Sequence, residues 1–423
     1  MQEEFLHYVW KHKALKTTQL KAVNGEAILI KNFGQHNLNS GPDFFNALIQ
    51  IDNQLWAGNV EIHIKSSDWY AHNHEKDRAY DSVILHVVWE HDIEIFRRDN
   101  STLPTLELSN YVDVKLYGNY KKLIRSKLWI NCQNDFSSID DFTVMNWLER
   151  LYIERLESKL KDINNLLKDS KNNWEAVLFK LLFKNFGLKT NGESFLSIAN
   201  SIDYSVFQKS RNDVFQMEAI LFGLSGLLEN DGQEPYMINL KNQYLFLQRK
   251  FNLSDSGVLK PKFFRLRPHN FPTIRISQFA NLYALQTNLF SRIIEVQAKK
   301  EFYELFRIGV TDFWKSHYTF SKVSKISQKP LTKSFIDLLI INTIIPIKFS
   351  YARFIGKKAD DEILDLLKEL KFEKNAITQK FLDLKSLETH ALTSQALLEL
   401  KQNYCDKNQC LRCAIGNGLI VKN

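Results

Sequence analysis

The feature that most constrains this chain is a change of hydrophobic period near Asp140. Before that point apolar residues recur at every second position, and beyond it at every third or fourth. A period of two puts alternate side chains on opposite faces of a strand, whereas a period of 3.6 lines them along one face of a helix. The order predicts an α+β chain: a mixed-sheet domain over residues 1–135, a large mainly helical domain over 136–400, and a cysteine-bearing segment over 401–423. A length of 423 residues accommodates these parts, since domains usually run to roughly 100–200 residues.

In the first part, Phe5, Val9 and Trp10 share one helical face behind Glu3 and Glu4, acidic residues that suit a helix's first turn. Alternation predicts a strand at Glu26–Lys31, and a hairpin of Phe45–Asp52 with Leu55–Ser66 turning about Asp52-Asn53. Ser82–Trp89 is apolar on both faces and is expected near the sheet centre. Weaker strands are expected near Ile93–Arg97 and Thr105–Leu108, with a Gly- and Asn-rich loop at Gly34–Phe44 and a polar, partly helical loop at Asp68–Tyr80.

Beyond Asp140, Leu148, Leu151, Leu156, Leu160, Ile163 and Leu167 mark a long charged helix, and helical patterns continue almost to the end. Pro261, Pro268 and Pro272 interrupt them, so the segment at 260–275 must be extended. The most apolar run, Phe335–Phe349, contains Asp337, Asn342 and Pro346 and falls short of the roughly 20 residues a membrane span needs. It reads as a buried helix. The acidic, amphipathic start MQEEFLHYVWKHK lacks the features of a secretory signal, so a cytoplasmic protein without membrane contact is expected. A net charge of +8 is compatible with a polyanionic partner such as nucleic acid.

The segment GPDFFNALIQIDNQLWAGNVEIHIKSSDW holds the chemistry. Asp43 precedes one strand of the hairpin, and alternation puts Glu61, His63 and Lys65 on one face of the other. Two carboxylates suit Mg²⁺ or Mn²⁺, and phosphodiester hydrolysis needs a metal to stabilise developing charge and acidify the attacking water. His63 or Lys65 would assist that water. Downstream lie His72, His74 and Asp77, expected to order the loop around this site or to contact phosphates, and His86 inside the apolar strand, expected to be a buried structural histidine. The alternative is a polar sheet surface with an exposed Glu61–Lys65 ion pair.

Pro42-Asp43 and Glu61-Ile62-His63 resemble the pattern of the PD-(D/E)xK nuclease superfamily, in which Pro-Asp and a strand turn precede Asp or Glu, any residue, then Lys. The departure is His63 in the Lys position. The resemblance implies a nuclease-like sheet domain in which Asp43 and Glu61 bind the metal. Almost the whole chain also resembles a bacterial family characterised only as a domain of unknown function, through segments such as GPDFFNALI, GNVEIHIKSSDWYAHNHEKDRAYDSVILHVVWEHD, RLRPHNFPTIRISQFANL and CLRCAIGNG.

Of four cysteines, Cys405, Cys410 and Cys413 cluster near the C-terminus and Cys132 stands alone after the sheet domain. Thiolates at such spacing can hold an iron-sulfur cluster or zinc, with Cys132 completing the set; the alternative is four reduced, unligated cysteines. The count is similar to that of PD-(D/E)xK nucleases whose domain ends are tied by an iron-sulfur cluster. Arg265, Arg267 and Arg275 lie on the stiff proline-rich segment and, with His72 and His74, are candidate nucleic-acid contacts, since guanidinium forks suit phosphate. The same arginines can instead cap helices or pair with acids. The expected function is metal-dependent cleavage of DNA or RNA; the alternatives are a non-catalytic nucleic-acid-binding or assembly protein on a nuclease-like scaffold, and a hydrolase of smaller phosphorylated substrates.

Overall fold

The structure, a computed structural model, describes residues 1–229 and 232–421. The chain divides into two compact units. One comprises residues 1–147, 383–385 and 400–423, and the other residues 148–382 and 386–399. The C-terminal segment therefore joins the sheet-bearing unit instead of standing apart.

The first unit opens with α1 (Glu3–Lys11), which buries Phe5, Leu6, Val9 and Trp10. Each such side chain contributes about 1.5–3 kcal/mol by leaving water. Phe5 also stacks on Tyr120 at 4.3 Å between ring centroids. The sheet contains β1 (Leu20–Lys21), β2 (Ala27–Asn32), β3 (Gln35–His36), β4 (Phe44–Ile51), β5 (Gln54–Lys65), β6 (Val83–Glu90) and β7 (Thr105–Glu107). Its order is β1-β2-β4-β5-β6-β7, with β3 paired to β4. The pairings from β1 through β5 are antiparallel, while β5–β6 and β6–β7 are parallel.

The hairpin turns at Asp52, whose φ of +50° lies in the left-handed region that Asp tolerates better than most residues. Ile93–Arg97 does not form a strand; Phe96 and Thr102 make one isolated bridge. Strand β5 works in two halves. Gln54–Gly58 pairs only with β4 and is exposed at its first residues, whereas from Asn59 onward β6 lies alongside and Val60–His63 become buried. The buried half is the one that carries Glu61 and His63.

After β6 the unit adds α3 (Val114–Ile124) and the start of α4 (Asp141–Asp169), with α2 (Asp68–Ala71) lying earlier, in the β5–β6 crossover. Leu411 and Ile420 enter the same core as Phe5, Val60 and Leu85.

The second unit is helical, including α5 (Trp174–Phe186), α6 (Leu188–Asn200), α7 (Tyr204–Ser210), α8 (Val214–Leu224), α9 (Pro235–Phe251) and α10 (Pro272–Leu285). The expected buried apolar helix runs longer than its sequence suggested, over Lys333–Phe354, because a π-helical stretch at Ile340–Ile344 continues it past Asn342. By length and composition it is able to cross a membrane, and 78% of its apolar window is buried inside the structure.

Candidate metal centre

Asp43 enters the site from a loop that Asn37 ties down. The Asn37 side-chain amide donates to the carbonyls of Asn39, Ser40 and Pro42, and its backbone N–H donates to the Asp43 carbonyl at 2.7 Å. Gly41 has a φ of +96°, a conformation that glycine adopts without a Cβ penalty. Just inside β4 the register with β5 shifts between Phe44 and Ala47, and Asn46 takes a φ of +57°. Bulges of this kind re-aim side chains at sheet ends.

The two acids lock one another through the backbone. Asp43 N–H donates to Glu61 Oε2 at 3.1 Å, and Ile62 N–H donates to Asp43 Oδ2 at 2.9 Å. Burial, reinforced by the Asp43 charge, pushes the Glu61 carboxyl up to about 9. A divalent cation reverses that balance by favouring the ionised form.

His63 lies 3.6 Å from Glu61 Oε1 through Nε2, and burial lowers its pKa to about 3, so its ring is neutral. Its Nδ1 is 2.8 Å from His86 Nε2, and its Nε2 is 3.1 Å from His72 Nδ1. His86 is fully buried, as expected, but it belongs to this cluster: it pairs in register with Glu61 and burial holds its pKa well below the ordinary value.

The β5–β6 crossover supplies the remaining rings. Asn73, with a φ of +60°, separates His72 from His74 and turns the chain back over the sheet. His74 Nε2 lies 3.3 Å from Glu61 Oε1, and its ring stacks on Tyr80 at 3.7 Å and meets Trp69 edge-on. Among the described residues, ligand atoms of His63, His72 and His74 all fall within 4.8 Å of one another. His72 and His74 therefore sit beside the carboxylates, and their imidazoles are committed to this cluster more than to a separate phosphate surface.

Lys65 points its ammonium to Glu90 at 3.6 Å in an exposed pair, and the expected surface pairing of Glu61 with Lys65 is absent because Glu61 is buried. His7, which the sequence reading passed over, reaches Asp43 Oδ2 at 3.2 Å from α1. Burial opposes its charge, but Asp43 outweighs that effect and the pKa of His7 is raised. Its spacing after Glu3 and Glu4 on a helix was visible; its distance to Asp43 was not.

The other candidates separate. Arg275 is buried, donating to Gln278 at 2.9 Å and Asn270 at 2.7 Å and lying 3.6 Å over the Phe335 ring, so its guanidinium is engaged inside the helical unit. Burial lowers it to about 9. Arg265 and Arg267 remain exposed. Trp314 is core.

Cys132, Cys405, Cys410 and Cys413, more than 270 residues apart at the extremes, line one small apolar cavity together with Leu123, Phe136 and Leu400. All four are free thiols. Burial pushes Cys132 up to about 12 and Cys413 up to about 11.

No curated protein and no solved structure matches this chain. A family model does: the one described as "Protein of unknown function (DUF2851)" matches residues 3–376, a span that takes in α1, the whole sheet and every residue of the carboxylate–histidine centre. The chain belongs to the DUF2851 family.

Proposed function

We propose that this protein is a metal-dependent nuclease of the PD-(D/E)xK type that hydrolyses phosphodiester bonds of DNA or RNA. The observation that carries the proposal is the reciprocal hold of Asp43 and Glu61 through each other's strand backbone, at 3.1 and 2.9 Å. Supporting it, Pro42-Asp43 stands at the head of β4, a strand turn follows, and Glu61-Ile62-His63 lies on the hairpin partner, the order of the superfamily pattern with His63 in the place of its Lys.

Asp43 and Glu61 would hold Mg²⁺ or Mn²⁺, which supplies Lewis-acid stabilisation of phosphoryl charge and lowers the pKa of water. The protein's own groups do the rest. The backbone N–H groups of Asp43 and Ile62 fix the carboxylates. His7, 3.2 Å from Asp43 and with its pKa raised by that carboxylate, is placed to exchange a proton beside it. His63, held neutral to about pH 3, is too weak a base for that task, and Lys65 is engaged with Glu90. Exposed Arg265 and Arg267 are available to flanking phosphates. The four cysteines are proposed to hold an iron-sulfur cluster or zinc that ties the C-terminal segment to the residues after the sheet.

The test is cleavage of labelled single- and double-stranded DNA and RNA with Mg²⁺ or Mn²⁺, comparing wild type with Asp43→Ala. Cleavage that vanishes in the variant while its far-ultraviolet circular dichroism is unchanged supports the proposal. Equal cleavage by the variant, or salt-sensitive binding with no cleavage by wild type, overturns it, the latter favouring a non-catalytic scaffold.

A further inference from the structure

His63 stands where the superfamily pattern has Lys, yet its buried neutral ring replaces neither the charge nor the basicity of that residue. Its surroundings explain the exchange. We infer that Glu61, His63, His72 and His74 form a second cation position next to the Asp43–Glu61 pair, built for a transition metal such as zinc and not for magnesium. This goes beyond the nuclease proposal and stands on the ligand atoms whether or not the chain cleaves nucleic acid.

Zinc binds imidazole nitrogen and carboxylate oxygen at about 2.0–2.2 Å in a tetrahedron, which sets neighbouring ligand atoms about 3.3 to 3.6 Å apart. Here His63 Nε2 to His72 Nδ1 is 3.1 Å, His74 Nε2 to Glu61 Oε1 is 3.3 Å, and His63 Nε2 to Glu61 Oε1 is 3.6 Å. His74 Nε2 is also a buried nitrogen without a hydrogen-bond partner, aimed at the same carboxylate. Such orphaned groups are rare unless something else satisfies them.

The surroundings are those of a metal ligand set. A ligating histidine usually has its second ring nitrogen fixed by a partner, and His63 Nδ1 meets His86 Nε2 at 2.8 Å inside the sheet. Trp69 and Tyr80 wall off His74, while His72 is exposed and leaves a side open for exchange. Nitrogen-rich sets favour zinc, iron, cobalt or nickel, whereas magnesium prefers carboxylate and water oxygens. Glu61 serves both positions, Oε2 turned to the Asp43 backbone and Oε1 to His63 and His74. Two-metal hydrolases use such sharing to place cations on either side of one reacting group.

The test uses full-length protein, stripped with chelator, kept reduced and anaerobic, and titrated with Co²⁺ alone. Cobalt held by nitrogen and oxygen gives weak visible bands, whereas cobalt on the cysteines adds an intense near-ultraviolet thiolate charge-transfer band. The expected result is non-thiolate cobalt at one per chain, displaced by equimolar zinc but not by a large excess of magnesium. His72→Ala, on an exposed residue that does not threaten the fold, and His74→Ala should each weaken binding at least as much as the roughly 10–100-fold loss typical of supporting-residue changes. Asp43→Ala should keep the bands. Absence of non-thiolate bands in wild type, or bands unchanged in both histidine variants, overturns the inference. Loss of cleavage in Asp43→Ala bears only on the nuclease proposal, so the two can fail separately.

Discussion

Single residues in this protein are held by what burial does to their charge. Glu218 in α8 is fully buried, accepts from Thr311 Oγ1 at 2.8 Å and bonds the Tyr236 hydroxyl. Burial raises its pKa from 4.5, so its contribution to stability is fully present below about pH 4.5 and is lost as the pH rises through its folded value. Glu218→Gln lacks that titration. The urea midpoint of wild type should therefore fall relative to Glu218→Gln as the pH is raised from 4, and parallel profiles would refute the assignment. Glu218→Ala, which takes the acceptor from the part-buried Tyr236 hydroxyl while Thr311 keeps Ser277 at 3.2 Å, should cost roughly 1–3 kcal/mol, read from the same titrations. Arg275→Ala should likewise lower stability, by removing the buried bonds to Gln278 and Asn270, without changing affinity for nucleic acid.

Elements depend on close approaches that small side chains allow. In α8, a Cβ on Gly223 would sit 2.2 Å from the ring of Tyr244 in α9, so the two helices meet only because that residue lacks one. Gly223→Ala should destabilise the helical unit by about 1–3 kcal/mol, measured by chemical denaturation. In the sheet unit the loop before β4 rests on Asn37, whose amide bonds three carbonyls. Asn37→Ala should loosen Asp43 and cut the proposed cleavage far more than it lowers the melting temperature; the reverse ranking would show that the loop does not position the acid.

The molecule as a whole closes its sheet unit with its own end. Ile420 is buried in the core that holds Phe5 and Leu85, and its carbonyl accepts from the Asn119 side chain at 3.2 Å. A chain ending at residue 399 should lose that core and three of the four thiols together, seen as loss of cooperative unfolding. Ile420→Ala, which removes only the apolar contact, should cost about 2–5 kcal/mol. Metal analysis and the absorption spectrum of anaerobic protein test whether the cysteines hold an iron-sulfur cluster, zinc or no metal.

By itself the sequence determined the local geometry: the strand period, the turn at Asp52, the shared face of Glu61 and His63, and the long helices after Asp140. These follow from propensities and alternation acting within a few residues, so they are legible in one dimension. Only the tertiary structure decided which distant groups meet. It brought His7 from α1 to Asp43, folded His72 and His74 over β5, and gathered Cys132 with three thiols from the far end of the chain. It also buried Arg275 in the helical core and diverted Lys65 to Glu90. Alternation cannot tell a solvated face from one that a crossover loop will cover, because burial is a property of the packed whole.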